Sequence, residues 1–305
     1  VTGSSARAAA GLRRNALKGH GAMLAFALII SGSFSLGHLA APHVSPSALN
    51  AARFGVAIMA LGVTAALGPG LRRAQLQAPW RYLVLGLLLA VYFVLMFEAL
   101  RLTDPVSTAA VFTLTPLMSA GFGRLVAGQR AGAGMISALV LGGIGALWVI
   151  FRADIDALLA LRLGVGERLY LIGCTAHALY TPMVKRLNRG EPPLAFAFWT
   201  TGACGLVILA LSLADGTLLA TDWTAVPPVA FIAIGYLALM ATATTTVLLQ
   251  FAALHLPAGR AMAYGYLVPS FVIIWEGLAG HGWVAPQVLG GIALTGVAML
   301  WLLRR

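Results

Sequence analysis

The stretch VLGGI stands at Val140–Ile144 and again at Val288–Ile292, start points 148 positions apart in a chain of 305 residues. Paired glycines beside apolar residues suit a phosphate cradle, a packing surface, or neither. A phosphate loop needs a strand before it and a Lys with Ser or Thr after it. Both copies instead sit inside long apolar runs, where small residues let helix backbones approach closely. Around the first copy Gly134, Ala138, Gly142 and Ala146 recur every four residues, and around the second the stripe reduces to Gly291 and Thr295. VLGGI therefore reads as a packing face that touches no cargo.

Composition sets the solvent. The chain is 60% hydrophobic and 10% charged, against about 25% charged in soluble domains. Windows of about 20 apolar residues predict membrane spans. Ten are expected, near 21–41, 47–67, 81–99, 105–126, 133–151, 167–187, 192–213, 226–250, 259–279 and 284–303. The basic residues ahead of the first run resemble a signal-peptide flank, but nine further spans point to a retained first helix. Cys174 and Cys204 both fall inside spans and read as free buried thiols.

Other landmarks recur in the same order as VLGGI. ALRL at 99–102 has a partner in ALHL at 253–256, and Pro116 in the fourth span has one in Pro269 in the ninth. The expected architecture is an all-α integral membrane protein with ten transmembrane helices as two inverted five-helix repeats. Residues 1–151 form the first repeat, 152–166 an external loop and 167–305 the second, inverted repeat. Five is odd, so the second half enters the membrane with the opposite orientation, as in many secondary transporters.

The formal charge of +11 suggests nucleic acid, but its distribution points elsewhere. With a cytoplasmic N-terminus, fifteen of the twenty Lys and Arg fall on inner segments. Four, namely Arg101, Arg152, Arg162 and Arg168, fall outside, and Arg53 lies within a span. That is the positive-inside bias. Both termini are expected in the cytoplasm, and the chain in a bacterial-type inner membrane.

The segments FEALRLTDPVSTAAVFTLTPLMSAGFGRLVAGQR (97–130), LQFAALHLPAGRAMAYGYLVPSFVIIWEGLAG (249–280) and PQVLGGIALTGVAML (286–300) resemble the EamA family of the drug/metabolite transporter superfamily. In overall look the chain is similar to YddG-type aromatic amino-acid exporters. The resemblance implies ten helices in two inverted halves, cytoplasmic termini, and a cavity surrounded by spans 1, 3, 4, 6, 8 and 9. Family members commonly carry Gly-Glu-Arg after the fourth span and a Glu near the end of the ninth. Here Gln129 and His281 stand at those places, so no role of those acids is carried over.

Candidate cavity residues follow from polar and aromatic groups in the spans. SGSFSLGH (31–38), with Ser35 and His38, and CTAHALYTP (174–182), with His177 and Tyr180, interrupt apolar helices at corresponding places. Weakened helix there would expose backbone to a ligand; helix-on-helix packing is the alternative. Tyr92, Tyr180, Tyr264, Tyr266 and Trp275 supply rings suited to an amphipathic cargo, or structural hydrogen bonds between helices. Thr115 stands in TLTP (113–116), where threonines can take carbonyls freed by Pro116. Pro116 and Pro269 are candidate hinges. Ionisable groups in a membrane are functional candidates by default, which singles out Arg53, Glu98 and Glu276. Arg53 and Glu98 are positioned to form a neutralising pair, or Arg53 to receive a carboxylate and a Glu to carry a proton. His177 titrates near neutrality in its unperturbed state.

The function expected is a secondary transporter exporting small amphipathic metabolites, amino acids foremost and aromatic ones included, by alternating access. A carrier for another metabolite, a drug or a lipid on the same fold is the alternative. A polyanionic cargo would want several cations in the cavity, and the spans offer Arg53 and, at an end, Arg101. An intramembrane enzyme is a remote alternative, since neither a Gly-x-Ser-x setting with a His nor HExxH appears. The expected partners are a small-molecule substrate and membrane lipid, with no nucleic acid, no obligate protein partner, no cofactor and no metal.

Overall fold

The computed structural model describes residues 2–40, 42–68, 70–103, 105–161, 163–278, 280 and 283–303. Side chains of residues 2–10, 34, 35, 37–39, 97, 100, 101 and 105–107 lie outside the description. Among the described residues every regular element is helical. The first half holds α1 (Thr2–Ala40), α2 (Pro46–Leu67), α3 (Trp80–Leu102), α4 (Pro105–Phe112, then Thr115–Ala127) and α5 (Ala133–Ile150). The second holds α6 (Val165–Leu187), α7 (Pro193–Ala214), α8 (Pro228–Ala238, a π segment Leu239–Thr244, then Thr245–His255), α9 (Ala258–Ala263, a 3-10 turn Tyr264–Leu267, then Val268–Leu278) and α10 (a 3-10 turn Pro286–Val288, then Leu289–Leu303). Short helices Ile155–Leu159 and Thr217–Ala220 lie in connections.

Eight of these are long and apolar enough to cross a membrane, and α3 adds a shorter apolar run, Trp80–Met96. The twenty-three-residue α6 is less apolar because Glu167, Lys185 and Arg186 occupy its end turns and Pro182 its interior. Start signals are local. Proline stands in the first turn of α2, α7 and α8, where its missing N–H costs nothing. Ser45 caps α2 by accepting from the Ala48 N–H at 3.4 Å.

Helix packing follows a regular order. α5 packs on α10, α4 on α9, α3 on α6, α1 on α8 and α2 on α7, with α3 also against α7 and α8 against α2. Replacing each helix by the one five further along maps the contact α3–α6 onto α8–α1, and α4–α6 onto α9–α1.

The two VLGGI stretches lie on the helices of the α5–α10 seam, where Gly142 of the first faces Tyr266 and Ala298, and Gly291 of the second faces Gly145, one residue past the first. A Cβ on Gly145 would lie 2.6 Å from Thr295 Oγ1 and 2.9 Å from the Gly291 carbonyl oxygen. One on Gly291 would lie 2.8 Å from the Gly145 oxygen. Trp148 Nε1 donates to the Gln287 oxygen at 2.9 Å. The packing reading of the glycines thus has a concrete partner for each copy.

The two stretches expected to weaken helices do not. α1 runs unbroken, and it starts well ahead of its apolar span. Ser31 and Ser33 donate to their own helix, at the oxygens of Leu28 and Ile30, so their hydroxyls are spent without unwinding it. α6 continues through Pro182. Proline removes the bond to the carbonyl four residues back, and here Ser119 of α4 donates to that oxygen, on Ala178, at 2.9 Å. The helices that do break are α4, at Thr113–Leu114 just before Pro116, and α9, at the 3-10 turn just before Pro269.

Candidate functional site

A band of buried polar and aromatic side chains crosses the interior between the two halves. His177 of α6 stacks on Tyr92 of α3, ring centroids 4.4 Å apart and planes 27° apart. Tyr180, one turn on, lies parallel to His177 at 6.4 Å. Its hydroxyl accepts from Gln250 Nε2 of α8 at 2.8 Å. On the other side Tyr92 reaches the Tyr170 hydroxyl at 3.5 Å. Tyr170 neighbours Cys174, which lies against Thr115 of α4. His177 Nδ1, Thr181 Oγ1 and Gln250 Oε1 are buried and have no hydrogen-bond partner among the described residues. Polar atoms left so in a core are costly and call for an explanation.

Arg53 of α2 joins this band from the side. It is 6% exposed. Its Nε donates to Thr242 Oγ1 at 2.5 Å, and one terminal nitrogen to the Ala241 oxygen at 3.5 Å. Both acceptors belong to the π segment of α8, a helix irregularity that recurs at functional sites. The guanidinium carbon lies 5.0 Å from the Phe93 ring centre and 5.7 Å from that of Phe54, a cation–π arrangement. Tyr92 and Cys204 are within electrostatic reach.

A cleft of about 370 Å³ opens between α2, α3 and α7, lined by Asn50, Phe93, Glu98, Ile208, Leu211 and Asp215 among others. Asp215 stands at its mouth. The Thr217 hydroxyl, the Thr217 N–H and the Ser47 hydroxyl hold its carboxyl below the ordinary carboxylate range. At their other ends α3 and α7 are joined by a buried ion pair. Arg81 pairs with Glu191 at 2.6 Å, both nearly buried, and also donates to the Leu187 oxygen at 2.7 Å. Tyr82 donates to the Gln75 oxygen, and Trp199 Nε1 donates to Gln75 Oε1 at 2.9 Å. Burial works against the charge on Glu191, but the Arg81 bond and the Arg189 N–H outweigh it, so its carboxyl also sits below the ordinary range.

Of the residues singled out in the sequence, Arg53, Tyr92, Thr115, His177 and Tyr180 come together. Tyr264, Tyr266 and Trp275 do not join them. Tyr264 meets His20 at 2.9 Å. The ring of Tyr266 lies against Gly142, where a Cβ would sit 2.7 Å away, so it packs on the α5 glycines rather than on the band. Trp275 donates to Ser31 at 2.9 Å, pinning α9 to α1. The expected Arg53–Glu98 pair is replaced by the bonds to α8: Arg53 is buried, whereas Glu98 is exposed along the cleft. Glu276 is half-buried near the end of α9. The side chains of Ser35 and His38, and all of His281, lie outside the described residues.

Three contributors were missed. Asn50 sits one turn from Arg53 on the same face of α2, a spacing visible in the sequence. Gln250 is a fully buried amide in an apolar run. Gln129, at the altered family position, accepts from the Ala258 N–H at 2.8 Å and so caps α9.

The chain belongs to the EamA-like transporter family, whose model matches it twice, over residues 17–151 and 165–304. The family model thus matches two successive units of the chain. A curated relative, the uncharacterized transporter YyaM of Bacillus subtilis (strain 168), is 27% identical over 193 residues, 62% of this chain. The match spans about 63% of that relative's length. One solved crystal structure shares the fold at a TM-score of 0.77 and 18% identity, over 95% of this chain and 97% of the other.

Proposed function

We propose that this protein is a secondary transporter that exports small amphipathic metabolites, amino acids foremost and aromatic ones included, by alternating access. The observation that carries the reading is the interior band. Aromatic rings from α3 and α6, one buried cation and several polar atoms without partners among the described residues meet where the two halves face each other. Rings bind an apolar side chain, and the polar atoms bind a headgroup.

The ten helices act as two inverted five-helix halves, 1–151 and 167–305, joined by the external loop 152–166. The twofold pattern of helix contacts, the paired VLGGI seam and the paired breaks before Pro116 and Pro269 support this. Those breaks serve as hinges. The charge bias along the sequence supports cytoplasmic termini in a bacterial inner membrane, with the cleft on the outer face. A carrier for another metabolite, a drug or a lipid is what the panel below would reveal in place of amino-acid transport.

The test is uptake of labelled amino acids into proteoliposomes holding only this protein, with and without a pH gradient. Saturable uptake of several amino acids is expected, lowered about tenfold or more by Tyr92→Ala through loss of ring contact. A gradient effect assigns proton carriage to His177 or a Glu, and its absence indicates facilitated diffusion. No amino-acid uptake in intact vesicles holding folded protein removes the amino-acid reading.

A further inference from the structure

We infer that one face of α2 reads the headgroup of an α-amino acid, Arg53 taking the carboxylate and the side-chain oxygen of Asn50 the ammonium. This rests on the transport reading above and names how the same site selects its cargo. Arg53 is a buried cation with no carboxylate partner among the described residues: the ion pair found there is Arg81–Glu191. A guanidinium offers five N–H donors, and its hydrogen bonds to Thr242 and Ala241 use two, both ending on neutral oxygens. A buried charge left without a counter-charge is costly, and a planar fork with donors to spare suits a carboxylate.

Asn50 supplies the second pole. It is 4% exposed and lines the cleft. Its Nδ2 donates to the Pro46 carbonyl at 3.0 Å. That oxygen only accepts, which fixes the amide orientation and leaves Oδ1 as the end without a protein partner. Residues three apart on a helix lie about 5–6 Å apart at Cβ, and an α-amino acid carries both poles on one carbon, so the proposal places one headgroup between the two side chains. The cleft supplies a matching polarity. Its lining carries Asp215 and Glu98 as well as Phe93, and the Arg53 guanidinium carbon lies 5.0 Å from the Phe93 ring centre. The ammonium faces the acids and the carboxylate the guanidinium, while the side chain extends toward Tyr92 and His177.

The experiment uses the full chain in proteoliposomes. The probes are L-phenylalanine and L-leucine, their amides, and the des-amino acids 3-phenylpropionate and 4-methylpentanoate. Wild type is expected to prefer each amino acid over both analogues by about tenfold or more, the scale of a charge-assisted hydrogen bond. Arg53→Gln is expected to erase the preference over the amide, Arg53→Lys to restore part of it, and Asn50→Leu to erase the preference over the des-amino acid alone. A purely structural role would lower uptake of every probe equally and would not split the two preferences. Should a variant misfold, wild-type discrimination still tests the idea. Amino acids taken up no better than both analogues, or Arg53→Gln keeping the wild-type preferences, overturns the headgroup assignment and leaves the transporter reading standing. No amino-acid uptake by wild type overturns both.

Discussion

The two ends of the helix bundle are held by different chemistry. Where α3 and α7 begin, a buried ion pair, a tyrosine, a glutamine and a tryptophan satisfy one another. Where the same helices finish, the lining is Asn50, Phe93, Glu98 and Asp215, and a cleft stands open. The polar groups around Arg81 bond to one another, whereas Asn50 Oδ1 beside the cleft is buried without a partner among the described residues.

The contrast can be broken most forcefully at Arg81. Arg81→Ala leaves Glu191 buried without its cation, and a loss of about 3 kcal/mol or more is expected, read as a lower unfolding temperature in detergent. Gln129→Ala removes the cap on α9 and is expected to cost about 1 kcal/mol, while Gln129→Glu, which keeps an acceptor oxygen, is expected to retain most of it. A pH series sharpens the comparison. The folded pKa of Glu191 is depressed, so its contribution is complete above the ordinary carboxylate range of about 4 and is lost as pH falls through the lower folded value. Unfolding temperature is thus expected to drop in acid in wild type, with a smaller drop in Glu191→Gln. The smallest effect belongs to the open end. Asn50→Leu removes an amide whose oxygen has no partner among the described residues, and a stability change below about 1 kcal/mol is expected. A large loss there would mean that the open end, too, is held by its polar groups.

How much of this was legible follows from where each signal lives. The α5–α10 seam was legible because its cause is local: small residues at helical spacing leave a trace in the order of letters. Pro116 and Pro269 announced the breaks in α4 and α9 for the same reason. Arg53 stood out as a charge in an apolar run, but Thr242 is 189 positions away, and nothing in either neighbourhood names the other. The tyrosines show the limit from the other side. Residue type reveals an amphipathic ring and not its direction, so Tyr92 and Tyr266 looked alike, although one stacks on His177 and the other packs on Gly142. Small polar residues and a histidine suggested weak helix in α1 and α6. The hydroxyls turned back on their own backbone in α1, and in α6 a serine from another helix took the carbonyl that the proline had freed.

The seam also has a mechanical meaning. Along α5 and α10 the two halves touch at glycine, backbone nearly on backbone, which leaves little room to slide. The ion pair and the cleft involve α2, α3, α6 and α7, of which none packs substantially on α5 or α10. If one half turns against the other, the seam works as the spine of a book, and displacement grows toward the page edges. A covalent tie between α5 and α10 should then leave transport running. The same tie between Gly86 of α3 and Ala203 of α7, which touch across the pages, should stop it.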